Sequence, residues 1–230
     1  MKKLLVINPN SSEQMTQDIR NTLSALEDSE FEVDVIRMPG SPDVLESFAD
    51  YTVAGGEMIR TIRAMQEKGT FDYSGVLVAC MGDPCLYGVK EVCSVPVVGV
   101  AEAAISTALL LGYKFSIVAS SAKAKPMMES MVMTYGLLDR MASVETMETP
   151  IANFMEDPDI LRNGVREAAQ RAQANGAEVL LLGCAGMTML SNEMDTLVSM
   201  PVIDPVKAGL EQLKLILRGG FKTSRVGLYA

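Results

Sequence analysis

Apolar residues along this chain come in two rhythms. Short, nearly uninterrupted runs occupy Leu4–Asn8, Glu32–Arg37, Gly75–Ala79, Val95–Val100, Phe115–Ala119, Ala142–Glu145, Glu178–Gly183 and Val202–Ile203. Between them lie longer segments with helical spacing of their apolar positions: Glu13–Leu26, Tyr51–Lys68, Pro84–Val92, Ala101–Leu111, Ala124–Tyr135, Pro158–Asn175, Met187–Leu197 and Val206–Arg218. The short runs read as strands and the longer amphipathic ones as helices. Their strict alternation predicts βαβ units and a parallel sheet covered on both faces. A continuous run such as VLLL at Val179–Leu182 suits a strand buried on both sides.

Local signals sharpen the boundaries. Gly176 after RAQAN and Gly112 after TALLL are placed to close helices. Ser11 and Gln14 could form a capping box that opens the first helix. Asp83 and Asp204, each followed by proline, read as N-caps.

A coarser repeat overlies this pattern. LLVINPNSS near the start resembles FSIVASSAK at Phe115–Lys123, and VLVACMG at Val76–Gly82 resembles LLLGCAG at Leu180–Gly186. The chain thus reads as a diverged duplication with a first α/β half at residues 1–99 and a second at 100–203. The last helix returns to the first half, so residues 204–230 belong with it. No Pro/Gly/Ser linker separates the halves, which predicts that they pack tightly together. Ligands of open α/β sheets sit beyond the carboxyl ends of the strands. Four motifs lie at such ends: Asn8–Ser12, Cys80–Gly82, Ser120–Ser121 and Cys184–Gly186. If the halves face each other, these motifs converge in one cleft.

Composition narrows the chemistry. Of 230 residues, 48% are hydrophobic and 21% charged, the balance of a globular protein with a sizeable core. Net charge is −9 and the basic residues are scattered, which argues against nucleic acid as a partner. The opening MKKLLVINPN is too short in apolar residues for a signal peptide, and AEAAISTALLLGY (Ala101–Tyr113) is too short to span a bilayer. A cytoplasmic protein without membrane association is expected. Four cysteines in a chain of this size do not form a disulfide scaffold. The absence of histidine excludes a Ser-His-Asp triad, a Cys-His pair and His-bound zinc. Any general base near neutral pH must be a carboxylate, lysine, tyrosine or cysteine.

Cysteine is the residue the pattern selects. A thiol between a strand and a helix faces free backbone N–H groups, and the helix dipole should draw its pKa below about 8.5. The glycine two places on would let the backbone come close to a ligand. One such cysteine reads as a small packing residue. Two in matching frames, Cys80 and Cys184, read as function. Inverting a carbon beside a carbonyl needs this pair: a thiolate removes the proton from one face and a thiol returns one to the other. The two would titrate as a unit, and backbone N–H groups at the turns would stabilise the enolate-like anion.

INPNSS at Ile7–Ser12, ACMGDP at Ala79–Pro84, PVVGVAEAA at Pro96–Ala104 and LLGCAGM at Leu181–Met187 resemble the aspartate/glutamate/hydantoin racemase superfamily, within it the hydantoin and allantoin racemase branch. The resemblance covers the whole chain. It implies two pseudo-symmetric Rossmann-like (flavodoxin-like) parallel-sheet halves with the active site in the cleft between them. It also implies racemisation by a cysteine pair without a cofactor, acting on a 5-substituted hydantoin or a related ureide such as allantoin, in an oligomeric protein. Carried over by motif, Cys80 and Cys184 are the acid/base residues and Asn10 holds substrate. Ser12, Met81, Gly82, Ser120, Ser121, Ala185 and Gly186 complete the candidate substrate-binding set. One position departs from the branch: after DP it usually has glycine, and this chain has Cys85.

Other readings stay open. An aspartate or glutamate racemase, a single-thiol diacid isomerase or decarboxylase, and a non-catalytic ligand-binding protein all suit the fold. Glu102 could orient substrate N–H groups or cap its helix. Lys123 and Lys125 read as solvated. Cys80, Cys85 and Cys93 lack a fourth metal ligand, so no metal is expected. No G-x-G-x-x-G, P-loop or C-x-x-C occurs, so no nucleotide cofactor or thioredoxin-like chemistry is expected. The expected partner is a small-molecule substrate.

Overall fold

The uninterrupted apolar runs become central strands. The computed structural model describes residues 1–26, 28–147, 158–184, 187 and 193–229. Strands β1 (Lys2–Asn8), β2 (Phe31–Arg37), β3 (Gly75–Val78) and β4 (Val97–Gly99) form one four-stranded sheet in the order β2-β1-β3-β4. Strands β5 (Phe115–Ala119), β6 (Met141–Thr146), β7 (Val179–Leu182) and β8 (Val202–Ile203) form a second in the order β6-β5-β7-β8. The two sheets share one topology, and every named pairing is parallel. All residues of β3, β5 and β7 are buried, as continuous apolar runs in a doubly covered sheet require.

Helices α1 (Glu13–Ser24), α2 (Phe48–Glu67), α3 (Leu86–Val92), α4 (Val100–Leu111), α5 (Ala124–Thr134), α6 (Pro158–Ala174), α7 (Met194–Leu197) and α8 (Pro205–Arg218) connect the strands. Short 3₁₀ turns occur at Leu138–Arg140 and Gly227–Tyr229, where no element was expected. Of the helix predicted at Met187–Leu197, the last turn is helical at Met194–Leu197, and residues 188–192 lie outside the described residues. Among the described residues no helix is long and apolar enough to cross a membrane.

Several caps differ from the sequence reading. Ser12, not Ser11, caps α1, its hydroxyl accepting the Met15 N–H at 3.2 Å. Ser11 instead bonds the loop beyond β2, through Pro42 O and the Asp43 carboxylate. Gly176 closes α6 with φ +88°, and Gly112 closes α4 in extended backbone at φ −160°, its N–H bonding Ala108 O. Asp204 caps α8 as expected, accepting from Val206 and Lys207 N–H. Asp83 does not cap its own helix: α3 opens at Cys85, and the Asp83 carboxylate reaches across to the N-terminus of α4. Asp83 stands at φ +42°, outside the extended region an N-cap adopts, and α3 opens two residues later.

Helix α4 serves both sheets. Its Val100 and Ala103 pack with Leu77, Val206, Leu210 and Leu213 on the β1 side. Its Ala101, Ala104, Ile105 and Ala108 pack with Phe115, Ile117, Val179 and Leu181 on the β5 side. Alanine on both flanks lets each core approach the helix axis closely. Met81, from the turn after β3, crosses the same seam and is buried in the core of the β5 sheet. We predict that Met81→Ala lowers stability by roughly 2–5 kcal/mol, the range for emptying a buried methionine site, read as a fall in the urea midpoint.

Candidate active site

The two cysteine motifs occupy the same frame of the two sheets. Beyond β3, the Ala79 N–H bonds Ile7 O of β1 at 2.8 Å; beyond β7, the Gly183 N–H bonds Val118 O of β5 at 2.8 Å. Each cysteine is the next residue, so Cys80 and Cys184 leave their sheets at corresponding points. Both are half-buried, and both line one cavity of about 70 Å³ at the carboxyl ends of the strands. Gly183 is obligatory there, since a Cβ would lie 2.3 Å from Val118 O.

The first strand brings a polar network to the same cavity. Asn8 Nδ2 donates to Asn10 Oδ1 at 2.7 Å and to Thr16 Oγ1 at 3.0 Å. Asn10 Oδ1 also accepts the Ser12 N–H at 3.0 Å. These bonds fix the Asn10 amide, whose Nδ2 lies 3.2 Å from Met15 Sδ, a weak acceptor. Asn8, Asn10, Met81, Gly82, Ser120 and Ser121 all line the cavity. Ser12 is not among the lining residues and serves the helix cap instead. Ala185 and Gly186 lie outside the described residues. Glu102 is turned to Lys90, with Nζ 2.7 Å from its carboxylate, and does not line the cavity.

Tyr51 of α2 is a lining residue that the sequence did not single out. Its hydroxyl hydrogen-bonds the Cys80 sulfur, and burial pushes its own pKa well above the usual phenol value. Gly82 makes room for it: a Cβ at 82 would lie 2.0 Å from the Tyr51 hydroxyl oxygen. The glycine of this Cys-x-Gly motif therefore admits a protein side chain, where the sequence suggested close approach of a ligand. The available signal was a tyrosine in the first turns of a long helix, too common to stand out.

The electrostatics of Cys80 also differ from expectation. Burial pushes its thiol up to about 12, outweighing the hydrogen bonds from the Gly82 N–H and the Tyr51 hydroxyl. The expected helix dipole is absent, because a turn of several residues separates Cys80 from the start of α3. The charges of Cys184 and Asp83 raise the thiol further.

A second, larger space of about 350 Å³ adjoins the cavity and shares Tyr51, Gly82 and Met127 with it. Phe48, Leu86, Tyr87, Met131 and Tyr135 give it an apolar wall. Cys85 opens into this groove rather than the cavity.

The model for Asp/Glu/Hydantoin racemase matches residues 4–213. The chain belongs to this family. It is 32% identical over 228 residues to a hydantoin racemase of Pseudomonas sp. (strain NS671), covering 99% of this chain and 90% of that one. Its fold superposes on the allantoin racemase of Klebsiella pneumoniae with a TM-score of 0.92 at 28% identity, covering 100% and 93% of the two chains. The allantoin racemase of Pseudomonas fluorescens gives 0.89 at 28% identity, covering 99% and 96%. The two four-stranded parallel sheets match those racemase structures.

Tyr51→Phe should raise the Cys80 pKa further by removing a donor to its thiolate. A hydrogen bond to a charged group contributes about 1.5–3 kcal/mol, so alkylation of Cys80 by iodoacetamide at pH 8 should slow by about tenfold or more. Site-resolved mass spectrometry on both proteins checks this. In the parent, the rate should rise about tenfold per pH unit from neutrality with no plateau below about pH 11, the thiol titrating near 12.

Proposed function

We propose that the protein is a cofactor-independent racemase of 5-substituted hydantoins or related cyclic ureides, with Cys80 and Cys184 as its two bases. The observation that carries this reading is the pair of corresponding cysteines on one cavity, one from each sheet. A ring bound between them presents its C5–H to one sulfur. That thiolate takes the proton, and the C–H electron pair moves onto the adjacent carbonyl as an enolate-like anion. The opposite thiol then protonates C5 from the other face, leaving the two sulfurs with exchanged protonation states.

Coulomb coupling supports the pairing. Each ionised sulfur disfavours ionisation of the other, so the singly ionised pair is the favoured charged state. This is the state the reaction needs in either direction. Burial that makes the thiolate scarce also makes it strongly basic, which suits a weakly acidic carbon. The Gly82 N–H and the Tyr51 hydroxyl hold the thiolate of Cys80, and the Asn10 amide and the Ser120 and Ser121 hydroxyls supply polar contacts for ring carbonyls and N–H groups.

The lining favours a neutral ring over an acidic amino acid. Among the described lining residues there is no lysine or arginine, and Glu46 is present. An aspartate or glutamate would bring carboxylates toward that acid without a cationic partner. The apolar groove beyond Tyr51 and Met127 favours a carbon substituent at C5 over the polar ureido group of allantoin.

The test is hydrogen exchange at C5 in deuterated water, starting from each pure enantiomer of a 5-alkyl hydantoin. The protein should racemise both with deuterium incorporation. Cys80→Ser and Cys184→Ser should each lose racemisation by about a hundredfold or more, with surviving exchange biased to opposite enantiomers. Unimpaired racemisation by either variant would sink the two-base reading. Allantoin, aspartate and glutamate run in parallel should be poorer substrates.

A further inference from the structure

Outside the cysteine pair, the Asp83 carboxylate is a tightly constrained polar group. It is buried, yet three donors from two directions converge on it. Asp83 Oδ1 accepts the Ala101 N–H at 3.1 Å, and Oδ2 accepts the Glu102 N–H at 2.8 Å. Both donors belong to the first turn of α4. From the other side, the Tyr135 hydroxyl at the end of α5 donates to Oδ2 at 2.6 Å. Gly99 lets the carboxylate come this close, since a Cβ there would lie 2.4 Å from it. The backbone of Asp83 is strained to φ +42°, and its N–H closes a turn onto Cys80 O at 2.9 Å.

These contacts make Asp83 a junction. Its backbone sets the turn that carries Cys80, and its side chain ties that turn to α4, the helix common to both sheets. Through Tyr135 the same oxygen is tied to α5, which packs on β5 and β6. Met81 is buried in the β5-side core, so the turn has an apolar anchor beside the polar one. We propose that Asp83 and Tyr135 form a latch, closed by the carboxylate and opened by its protonation, that holds the Cys80 turn in register with the sheet that carries Cys184. Both are positioning residues, acting through the geometry of Cys80.

An ionised carboxyl accepts all three donors; a protonated one must turn a hydrogen toward one of them and lose that bond. Burial raises the Asp83 carboxyl to about 6, opposed first by the Tyr135 hydroxyl and then by the two helix N–H groups. The ionisable groups facing it are Tyr135 from α5, Glu102 from α4 (itself paired with Lys90 of α3), Tyr87 of α3, and Cys80 and Tyr51 at the cavity. The charge of Glu102 lifts the carboxyl further. The folded-state pKa lies above that of an unfolded aspartate, so this group favours the fold most below about pH 4 and loses that contribution as pH rises through about 6. The closed latch at neutral pH is held against that cost.

The test uses the full chain, its Tyr135→Phe variant and Asp83→Asn. Dithiodipyridine, which reacts with thiols in acid, is applied from about pH 5 to 9, and the rate at Cys80 is followed by mass spectrometry; this arm needs no substrate. The rate in the parent should fall in step with the thiolate fraction, then rise above that line below about pH 6, where the turn is released and the Asp83 charge that raises the thiol is lost. Tyr135→Phe removes the bond that most holds the carboxyl down, so its departure should begin at higher pH, and at about pH 8–9, where the carboxyl is ionised in both proteins, its loosened turn should make it faster than the parent; Asp83→Asn should be faster than the parent above about pH 6 and converge on it below. The second arm rests on the proposed function: with a hydantoin, Tyr135→Phe should lose about tenfold or more in kcat, the scale for a misplaced reacting group, with KM changed less than about threefold. A parent plot with no break, or a Tyr135→Phe plot that coincides with it, overturns the latch. Breaks as described without racemisation by any of the proteins uphold the latch and overturn the proposed function.

Discussion

Two sulfurs on separate sheets can serve one carbon only if the seam between the sheets is stiff. Among the described residues the seam consists mainly of α4, which gives one flank to each core, and of the turn after β3, which sends Met81 and Asp83 across. The carboxylate of Asp83 is the polar centre of this joint. It satisfies two N–H groups of a helix start that would otherwise be buried without partners, and it takes a third donor from α5. A reaction that requires both sulfurs therefore depends on a residue that need not touch substrate.

The cavity sets burial against hydrogen bonding. A thiolate is stabilised by the Gly82 N–H and the Tyr51 hydroxyl, but removing the sulfur from water costs more than these return. The result is a scarce and strong base. Tyr51 sits where this balance is adjusted, and it also stands between the cavity and the larger groove. A substituent passing from one space to the other must pass this ring and Met127. Binding of the substituent and basicity of Cys80 are thus exposed to the same side chain.

The strands and the two Cys-x-Gly frames were legible in the sequence because they depend on local pattern. An apolar run of strand length ends in a small residue and a cysteine twice, and the hydrogen bonds of Ala79 and Gly183 show the two ends to be equivalent. Partners brought in by tertiary packing were not legible. Tyr51 is far from Cys80 in sequence, and the pairing of Asp83 with Ala101, Glu102 and Tyr135 crosses two elements. Aspartate before proline reads locally as a cap for the next helix; the rule found the right chemistry and the wrong helix. The low thiol pKa expected for Cys80 failed similarly, since burial cannot be read from a turn motif.

Cys85 shows how a strained backbone position can be absorbed. The backbone at Cys85 lies at φ +54°, in the left-handed region that glycine occupies without penalty. A side chain in that conformation costs about 1–2 kcal/mol and persists where the surroundings over-determine it. Here two helices yield space: a Cβ at Gly55 of α2 would lie 2.4 Å from Cys85 Cβ, and one at Gly88 of α3 would lie 2.9 Å from its sulfur. The sulfur accepts the Gly88 N–H, so the thiol is seated rather than merely tolerated. The strained turn from Asp83 to Cys85 is therefore held at one end by a buried carboxylate and at the other by a thiol packed between glycines. Cys80, at the head of that turn, inherits its position from both.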